Sequence, residues 1–126
     1  MTLTRRQHPE FGTEIRSLIA GRTREDREKA ELIVAQLGGL DEAKATGCNH
    51  PLEDAMHGSS LSRVRYLRLY TRGHSIRVFF SVFDGTIWML GLDANKRQTC
   101  TAPEFEDRLR RRLREVMAVA QLKCQT

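Results

Sequence analysis

The sequence lacks several features that mark large classes of proteins. It has no run of about 18 apolar residues, the length that a membrane-spanning helix needs. Its first residues, Met-Thr-Leu-Thr-Arg-Arg, contain no apolar signal core. Its three cysteines are widely spaced and form no C-x-x-C pair, so they predict neither a disulfide framework nor a zinc site. We therefore expect a cytoplasmic protein with reduced thiols.

The short motifs of several enzyme classes are also missing. No H-E-x-x-H, P-loop, G-x-S-x-G or G-x-G-x-x-G pattern occurs, and no paired carboxylates stand out. Each motif arranges the ligands or nucleophile that its chemistry requires. The sequence thus argues against a metalloprotease, a nucleotide hydrolase, a lipase-like enzyme and a dinucleotide enzyme, and we expect no metal and no cofactor.

What is present is a basic second half. The chain has 126 residues, of which 40% are hydrophobic and 29% charged, as expected for one folded domain spanning residues 1–126. Residues 1–60 hold 8 Lys and Arg against 10 Asp and Glu, a net charge of −2, whereas residues 61–126 hold 13 against 6, a net charge of +7. Such a field attracts polyanions, although a merely soluble surface is the alternative.

Apolar spacing predicts two helices near the N-terminus. Pro9 can open the first helix and Gly21 can end it. Thr23 followed by Asp26 resembles a capping box for the second helix, whose pattern weakens at Gly38-Gly39. We expect the charged run 24–29 on the solvent side, and residues 41–60 as a loop.

Three strand patterns and a last helix follow. The strands are predicted over 61–70, 75–83 and 86–92, with Asp84-Gly85 forming a two-residue hairpin turn. Thr101 and Glu104 form a second capping-box pattern before a helix with the apolar stripe Phe105, Leu109, Leu113, Val116 and Ala120. The predicted fold is α+β: two N-terminal helices, an antiparallel sheet of three or four strands, and a C-terminal helix.

Basic side chains lie on or beside the predicted sheet. Guanidinium groups match phosphate oxygens in pairs, so several on one sheet can hold a nucleic-acid backbone. Each is equally compatible with a solvated strand position. Strict alternation places Arg65 and Arg68 on opposite faces, so they share a site only if the strand bulges or one side chain reaches around an edge. The set is Arg63, Arg65, Arg68, Arg72, Arg77, Lys96 and Arg97.

Other side chains can supply stacking surfaces or proton transfer. Aromatic rings are interleaved with the basic residues, and we assign Phe80 and Trp88 to packing first. His50, His57 and His74 lie in predicted loops, where a histidine can act as acid or base or simply face solvent. Asp93 follows the third strand, where a proton acceptor or a strand-end salt bridge would fit.

The residues from Leu67 to Thr99 resemble a known family. The strand Ile76-Arg77-Val78-Phe79-Phe80, the turn Asp84-Gly85, the strand Ile87-Trp88-Met89-Leu90 and the polar run Asn95-Lys96-Arg97-Gln98-Thr99 are similar to the HigB-like branch of the RelE/ParE toxin superfamily. The resemblance covers mainly the second half of the chain.

The resemblance implies a toxin of a type II toxin–antitoxin pair. Such toxins are typically ribosome-dependent endoribonucleases that cleave mRNA without a metal, by attack of a ribose 2′-OH on the neighbouring phosphate. It implies catalytic or RNA-contacting roles for Arg65, Arg68, Arg77, Lys96 and Gln98. The other basic residues beside the predicted sheet, Arg63, Arg72 and Arg97, are expected to bind RNA because of their charge and position. Its partners would be mRNA on the ribosome and a cognate antitoxin, often a helix-turn-helix protein.

One departure affects the chemistry. Where many HigB-like members carry a histidine near the end of the third strand, this chain has Gly91. The acid or base would then be His57, Asp93 or Tyr70. Two alternatives stay open: a ParE-like inhibitor of DNA gyrase, and a non-catalytic module of the same fold that binds RNA or protein.

Overall fold

A computed structural model describes residues 3–56, 61–71, 74–96 and 103–124 of the chain. None of the helices in these ranges is both long enough and apolar enough to cross a membrane. In chain order the elements are β1 (Thr4–Gln7), α1 (Pro9–Ile19), α2 (Arg24–Ala45), β2 (Glu53–Ala55), β3 (Arg65–Thr71), β4 (His74–Phe83), β5 (Thr86–Lys96) and α3 (Pro103–Cys124).

The sheet corrects the predicted fold. It has five strands in the order β1-β5-β4-β3-β2, and β1 runs parallel to β5, so the expected antiparallel sheet of three or four strands is wrong. The two strands that the sequence did not indicate are very short: β1 has four residues, all exposed, and β2 has three residues of intermediate exposure, of which only the side chain of Glu53 is fully buried. Neither shows the alternation of apolar and polar residues that marks a strand, so periodicity cannot detect them.

Helices pack on both faces of the sheet. On one face, α1 and α2 bury Phe11, Ile15, Ile33 and Leu37 against strand residues such as Leu67, Val78, Phe80 and Met89. On the other face, α3 buries Phe105, Leu109, Leu113 and Val116 against Tyr66, Phe79, Trp88 and Leu90. Phe80 and Trp88 are core residues, as predicted.

Local signals locate the ends of the helices. His8 caps α1 and Pro9 begins it, while the Thr23 hydroxyl accepts a hydrogen bond from the backbone N–H of Asp26 at the start of α2, as the capping pattern predicts. α2 continues past Gly38-Gly39 to Ala45, six residues beyond the point where its pattern weakens. Lys29 was expected in solvent but is 1% exposed and pairs with Glu25.

A buried carboxylate joins α2 to the sheet. The Glu53 side chain is fully buried and accepts hydrogen bonds from Lys44 of α2, from Arg65 of β3 and from the backbone N–H of His50. Burial raises the pKa of Glu53, but the hydrogen bonds from Lys44, Arg65 and His50 outweigh it and hold the pKa below its ordinary value. The ionised carboxylate thus stabilises the fold.

A guanidinium binds a carbonyl at an irregularity of β5. The register of β4 and β5 shifts between Phe79, which pairs with Gly91, and Phe80, which pairs with Met89, so Leu90 has no partner residue on β4. Arg112 of α3, 4% exposed, donates from Nη1 to the Leu90 oxygen at 2.9 Å and pairs with Glu10 and Glu14 of α1. A Cβ atom at Gly91 would stand 3.0 Å from Leu109 and 3.2 Å from Arg112. A side chain at residue 91 would therefore press on α3, and glycine lets α3 lie close to β5.

We predict that Glu53→Gln destabilises the fold, because Lys44 and Arg65 lose a buried counter-charge. The expected loss is about 2–4 kcal/mol at pH 7, below the full range for a buried pair since Arg65 is partly exposed. The depressed pKa contributes stability above the ordinary value of 4.5 and loses it as pH falls through the folded-state value. Urea unfolding should therefore show that the parent and Glu53→Gln differ less in their free energy of unfolding below pH 4.5 than at pH 7. A difference that stays constant with pH would contradict this role.

We predict that Gly91→Val destabilises the protein by about 1–3 kcal/mol, because the branched side chain overpacks the space under α3. Gly38→Ala is the matched control: nothing lies within 4 Å of a Cβ atom there. It should stabilise α2 by about 0.5–1 kcal/mol. Thermal and urea unfolding measure both changes, and equal stability of Gly91→Val and the parent would refute the packing role.

Candidate functional site

Part of the α3 face of the sheet is polar and is not covered by a described helix. Strand register arranges its side chains in rows that cross β3, β4 and β5. Tyr66, Phe79 and Gly91 form the row beneath the start of α3. The next row is Arg68, Arg77 and Asp93, and the last consists of Tyr70 and Ser75. We call the last two rows the open patch.

Arg68 is the exposed cation of the open patch. Its Nη2 donates to the Tyr70 hydroxyl at 3.0 Å, and its Nη1 lies 3.8 Å from a carboxylate oxygen of Asp54 on β2. Tyr70 itself is 63% exposed. The guanidinium is thus oriented by a tyrosine and a carboxylate while it remains open to solvent, an arrangement in which it can bind an anion.

Arg77 stands directly opposite Arg68 but is only 8% exposed. Its guanidinium carbon lies 4.8 Å from the centre of the Tyr66 ring, within the range of a cation–π contact. Two like charges side by side repel each other, and the carboxylates Asp93, opposite Arg77, and Asp54, beside Arg68, offset that repulsion. The open patch therefore contains one buried cation, Arg77, and one accessible cation, Arg68.

A cleft of about 340 Å³ adjoins the open patch at the β2 edge of the sheet. The Tyr66 hydroxyl donates to Asp54 Oδ2 at 3.4 Å, and Asp54 Oδ1 accepts from the backbone N–H of Ala55 at 2.8 Å. The cleft thus offers apolar, aromatic, cationic and anionic groups within one concave surface. Its lining is Pro51, Leu52, Glu53, Asp54, Arg68 and Tyr70.

Two of the predicted basic residues lie elsewhere. Arg65 is on the α1–α2 face, where it pairs with buried Glu53, because strict alternation holds along β3. Arg63 lies in the turn before β3, where its carbonyl accepts from Ser81, and its side chain is exposed. Neither belongs to the open patch. The predicted site residues that the structure brings together are Arg68, Arg77 and Asp93.

The remaining predicted site residues fall outside the described part of the chain. This applies to His57, Arg72, Arg97 and Gln98, and to the side chain of Lys96, whose backbone belongs to β5. The roles predicted for them stay predictions.

Several arginines of α3 pair with acids instead of forming a phosphate-binding surface. Arg111 donates to Glu10 of α1 and to Glu115, and Arg112 pairs with Glu10 and Glu14. Much of the positive charge of the second half is therefore offset by acids from the first half. Arg112 lies three residues after Leu109 and four before Val116, and this spacing is the signal in the sequence that would have placed it on the buried face of α3.

His8 belongs to the same group of paired charges as Glu10, Arg111 and Glu115, and no sequence motif pointed to it. It is 4% exposed, and its Nδ1 accepts from the backbone N–H of Glu10. The proton of the neutral ring is then on Nε2, which donates to Glu115 at 3.0 Å. Hydrogen bonds from His8 and Arg111 lower the pKa of Glu115. The side chain of His8 thus ties the start of α1 to α3.

Asp54 is the member of the site that the sequence did not reveal. It lies inside the stretch 41–60, which has no period and was expected to form a loop. Only the pairing of Asp54 with Tyr66 across β2 and β3 brings its carboxylate to the open patch. The neighbouring Glu53 points to the opposite face.

Among the described residues, no three His, Cys, Asp or Glu side chains are grouped so that they could hold a metal ion. A scan against protein-family models found no match, and searches of curated proteins and of solved structures found none either.

Proposed function

We propose that the chain is a toxin-type endoribonuclease that binds single-stranded mRNA across the open patch. The observation that carries the proposal is the pair Arg68–Arg77 on one sheet face, with the exposed ring of Tyr70 beside it. Guanidinium groups bind phosphate, and an exposed aromatic ring stacks on an unpaired base. The resemblance to HigB-like toxins supports the choice of mRNA on the ribosome, hence a site of action in the cytoplasm.

The proposed reaction uses groups that adjoin one another in the strand register. The ribose 2′-oxygen forms a bond to phosphorus while the bond from phosphorus to the 5′-oxygen breaks, leaving a 2′,3′-cyclic phosphate and a 5′-hydroxyl. Asp93 accepts the 2′-OH proton. Tyr70 donates to the leaving oxygen, because its hydroxyl accepts from Arg68 and keeps its own proton available. Arg68 and Arg77 stabilise the charge that develops on the phosphate.

A second candidate is a module that binds RNA without cleaving it. The packing at Gly91 favours it, because the resemblance places a histidine there, whereas a Cβ atom at residue 91 would already stand 3.0 Å from Leu109 and 3.2 Å from Arg112. In either case we propose a cognate antitoxin as the partner that covers the open patch. A small DNA-binding protein encoded by the adjacent reading frame would fit that role.

We predict that Arg68→Gln lowers the rate of mRNA cleavage about 100- to 1,000-fold, the loss typical for one donor to a charged transition state. Arg77→Lys should lower cleavage but retain most RNA binding, since it keeps the charge and removes the paired donors. The control is Arg24→Gln, which removes an equal charge from a 75% exposed side chain on α2. Cleavage is measured by primer extension on a reporter mRNA in a cell-free translation reaction.

Measurements of RNA cleavage, RNA binding, DNA breaks and growth separate the candidates. A substrate with 2′-deoxyribose at the cleaved position should bind normally and remain intact if the 2′-OH is the nucleophile. Binding of normal mRNA without cleavage selects the non-catalytic module. DNA breaks with intact transcripts select a gyrase inhibitor. Full growth on induction without the antitoxin, with no RNA bound, rejects both RNA hypotheses.

We predict that Tyr70→Ala weakens binding of single-stranded RNA by about 1–3 kcal/mol, the usual contribution of one base stacked on an aromatic ring. Tyr70→Phe keeps the ring, so it should retain this binding but lose cleavage if the hydroxyl donates a proton. Fluorescence anisotropy with a labelled oligonucleotide measures the first effect. Equal affinity of Tyr70→Ala and the parent protein would show that the ring does not stack on RNA.

A further inference from the structure

We infer that the cleft at the β2 edge is a guanine-binding pocket, which selects the RNA base beside the phosphate held by Arg68. The inference rests on the proposed function and goes beyond it by naming the base that is read. The observation that supports it is that the Asp54 carboxylate, the exposed Tyr70 ring and Arg68 all line one cleft.

The carboxylate keeps capacity to accept hydrogen bonds. Its Oδ2 has two neighbours, the Tyr66 hydroxyl at 3.4 Å and Arg68 Nη1 at 3.8 Å. Both distances exceed the about 2.5–2.9 Å of strong charge-assisted hydrogen bonds. The Asp54 side chain is also 47% exposed. Oδ1 accepts one hydrogen bond, from the backbone N–H of Ala55, and has a second lone pair. A ligand with two donors can therefore bind both oxygens, and it can approach Oδ2 more closely than Tyr66 and Arg68 do.

The chemistry of the bases then selects guanine. Two acceptor oxygens of a carboxylate require two adjacent donors, and on its Watson–Crick edge only guanine presents two, N1–H and the 2-amino group. Adenine and cytosine each place an acceptor nitrogen beside their amino group, and uracil flanks its single N–H with two carbonyls. Those acceptors would face the Asp54 carboxylate and be repelled by it.

The other walls suit a flat base attached to a phosphate. Tyr70 offers its ring for stacking, and Pro51 and Leu52 line the apolar side of the cleft. Arg68 lies between the cleft and Arg77, so a phosphate attached to the bound nucleoside falls within its reach. The volume, about 340 Å³, is at the lower end of small-molecule sites, which suits one nucleotide.

The experiment measures binding of guanosine, inosine, adenosine, cytidine and uridine 3′-monophosphates to the full chain by titration calorimetry or NMR. Guanosine monophosphate should bind at least about tenfold more tightly than inosine monophosphate, which differs only by lacking the 2-amino group. Asp54→Asn should abolish this preference, while its side-chain oxygen can still accept from Ala55. Asp107→Asn, on α3 and 76% exposed, is the control and should keep it.

Circular dichroism and urea unfolding check that each variant folds. Equal affinity for guanosine and inosine monophosphates, or an unchanged preference in folded Asp54→Asn, overturns the guanine pocket. An oligouridine bound and cut by the parent but not by Arg68→Gln would then still support the proposed function. Conversely, guanosine monophosphate bound through Asp54 with no RNA bound or cut would retain the pocket, as a site for a free guanine nucleotide, and reject the nuclease.

Discussion

The register of the three long strands determines which chemistry is possible on the α3 face. Because β4 pairs antiparallel with both β3 and β5, residues at equivalent positions form rows, and Arg68, Arg77 and Asp93 share one of them. A shift of β3 by one residue would move Arg68 to the α1–α2 face and place Leu67 or Leu69 opposite Arg77. The buried leucines of β3 prevent that shift, since they would lose their core contacts.

Coverage by α3 then divides this face into a packed part and an open part. Leu109 and Phe105 lie over Gly91 and Phe79, one row away from Arg77. The α3 helix can approach so closely because residue 91 has no side chain, and Arg112 donates a hydrogen bond to the carbonyl of Leu90, where the register of β4 and β5 shifts. Gly91 therefore has a structural reason, which bears directly on the choice between the two candidate functions.

Positive charge in this chain serves two different purposes. Arg65, Arg111 and Arg112 stabilise the fold by pairing with Glu53, Glu10 and Glu14, acids that belong to the first half of the sequence. Arg68 remains accessible on the open patch. The excess of basic residues in the second half is thus a poor measure of the surface available to a polyanion, because a net charge ignores which side chains face each other.

Some of this arrangement follows from the sequence alone. Local chemistry determined the start of α1 at Pro9, the Thr23 cap of α2 and the turn at Asp84-Gly85, where both residues have positive φ. Each depends on one residue's own geometry or on a partner within three positions. Alternation along β3 also correctly separated Arg65 from Arg68.

The tertiary structure alone decided the features that join distant segments. β1 and β2 exist because long strands offer them unpaired backbone groups, and no apolar alternation announces either of them. Burial of Lys29 and continuation of α2 past Gly38-Gly39 likewise depend on packing against the rest of the fold. The same holds for Asp54, whose place beside Arg68 is set by pairing with a residue twelve positions away. Sequence patterns report local preference, whereas such contacts depend on which segments the whole chain brings together.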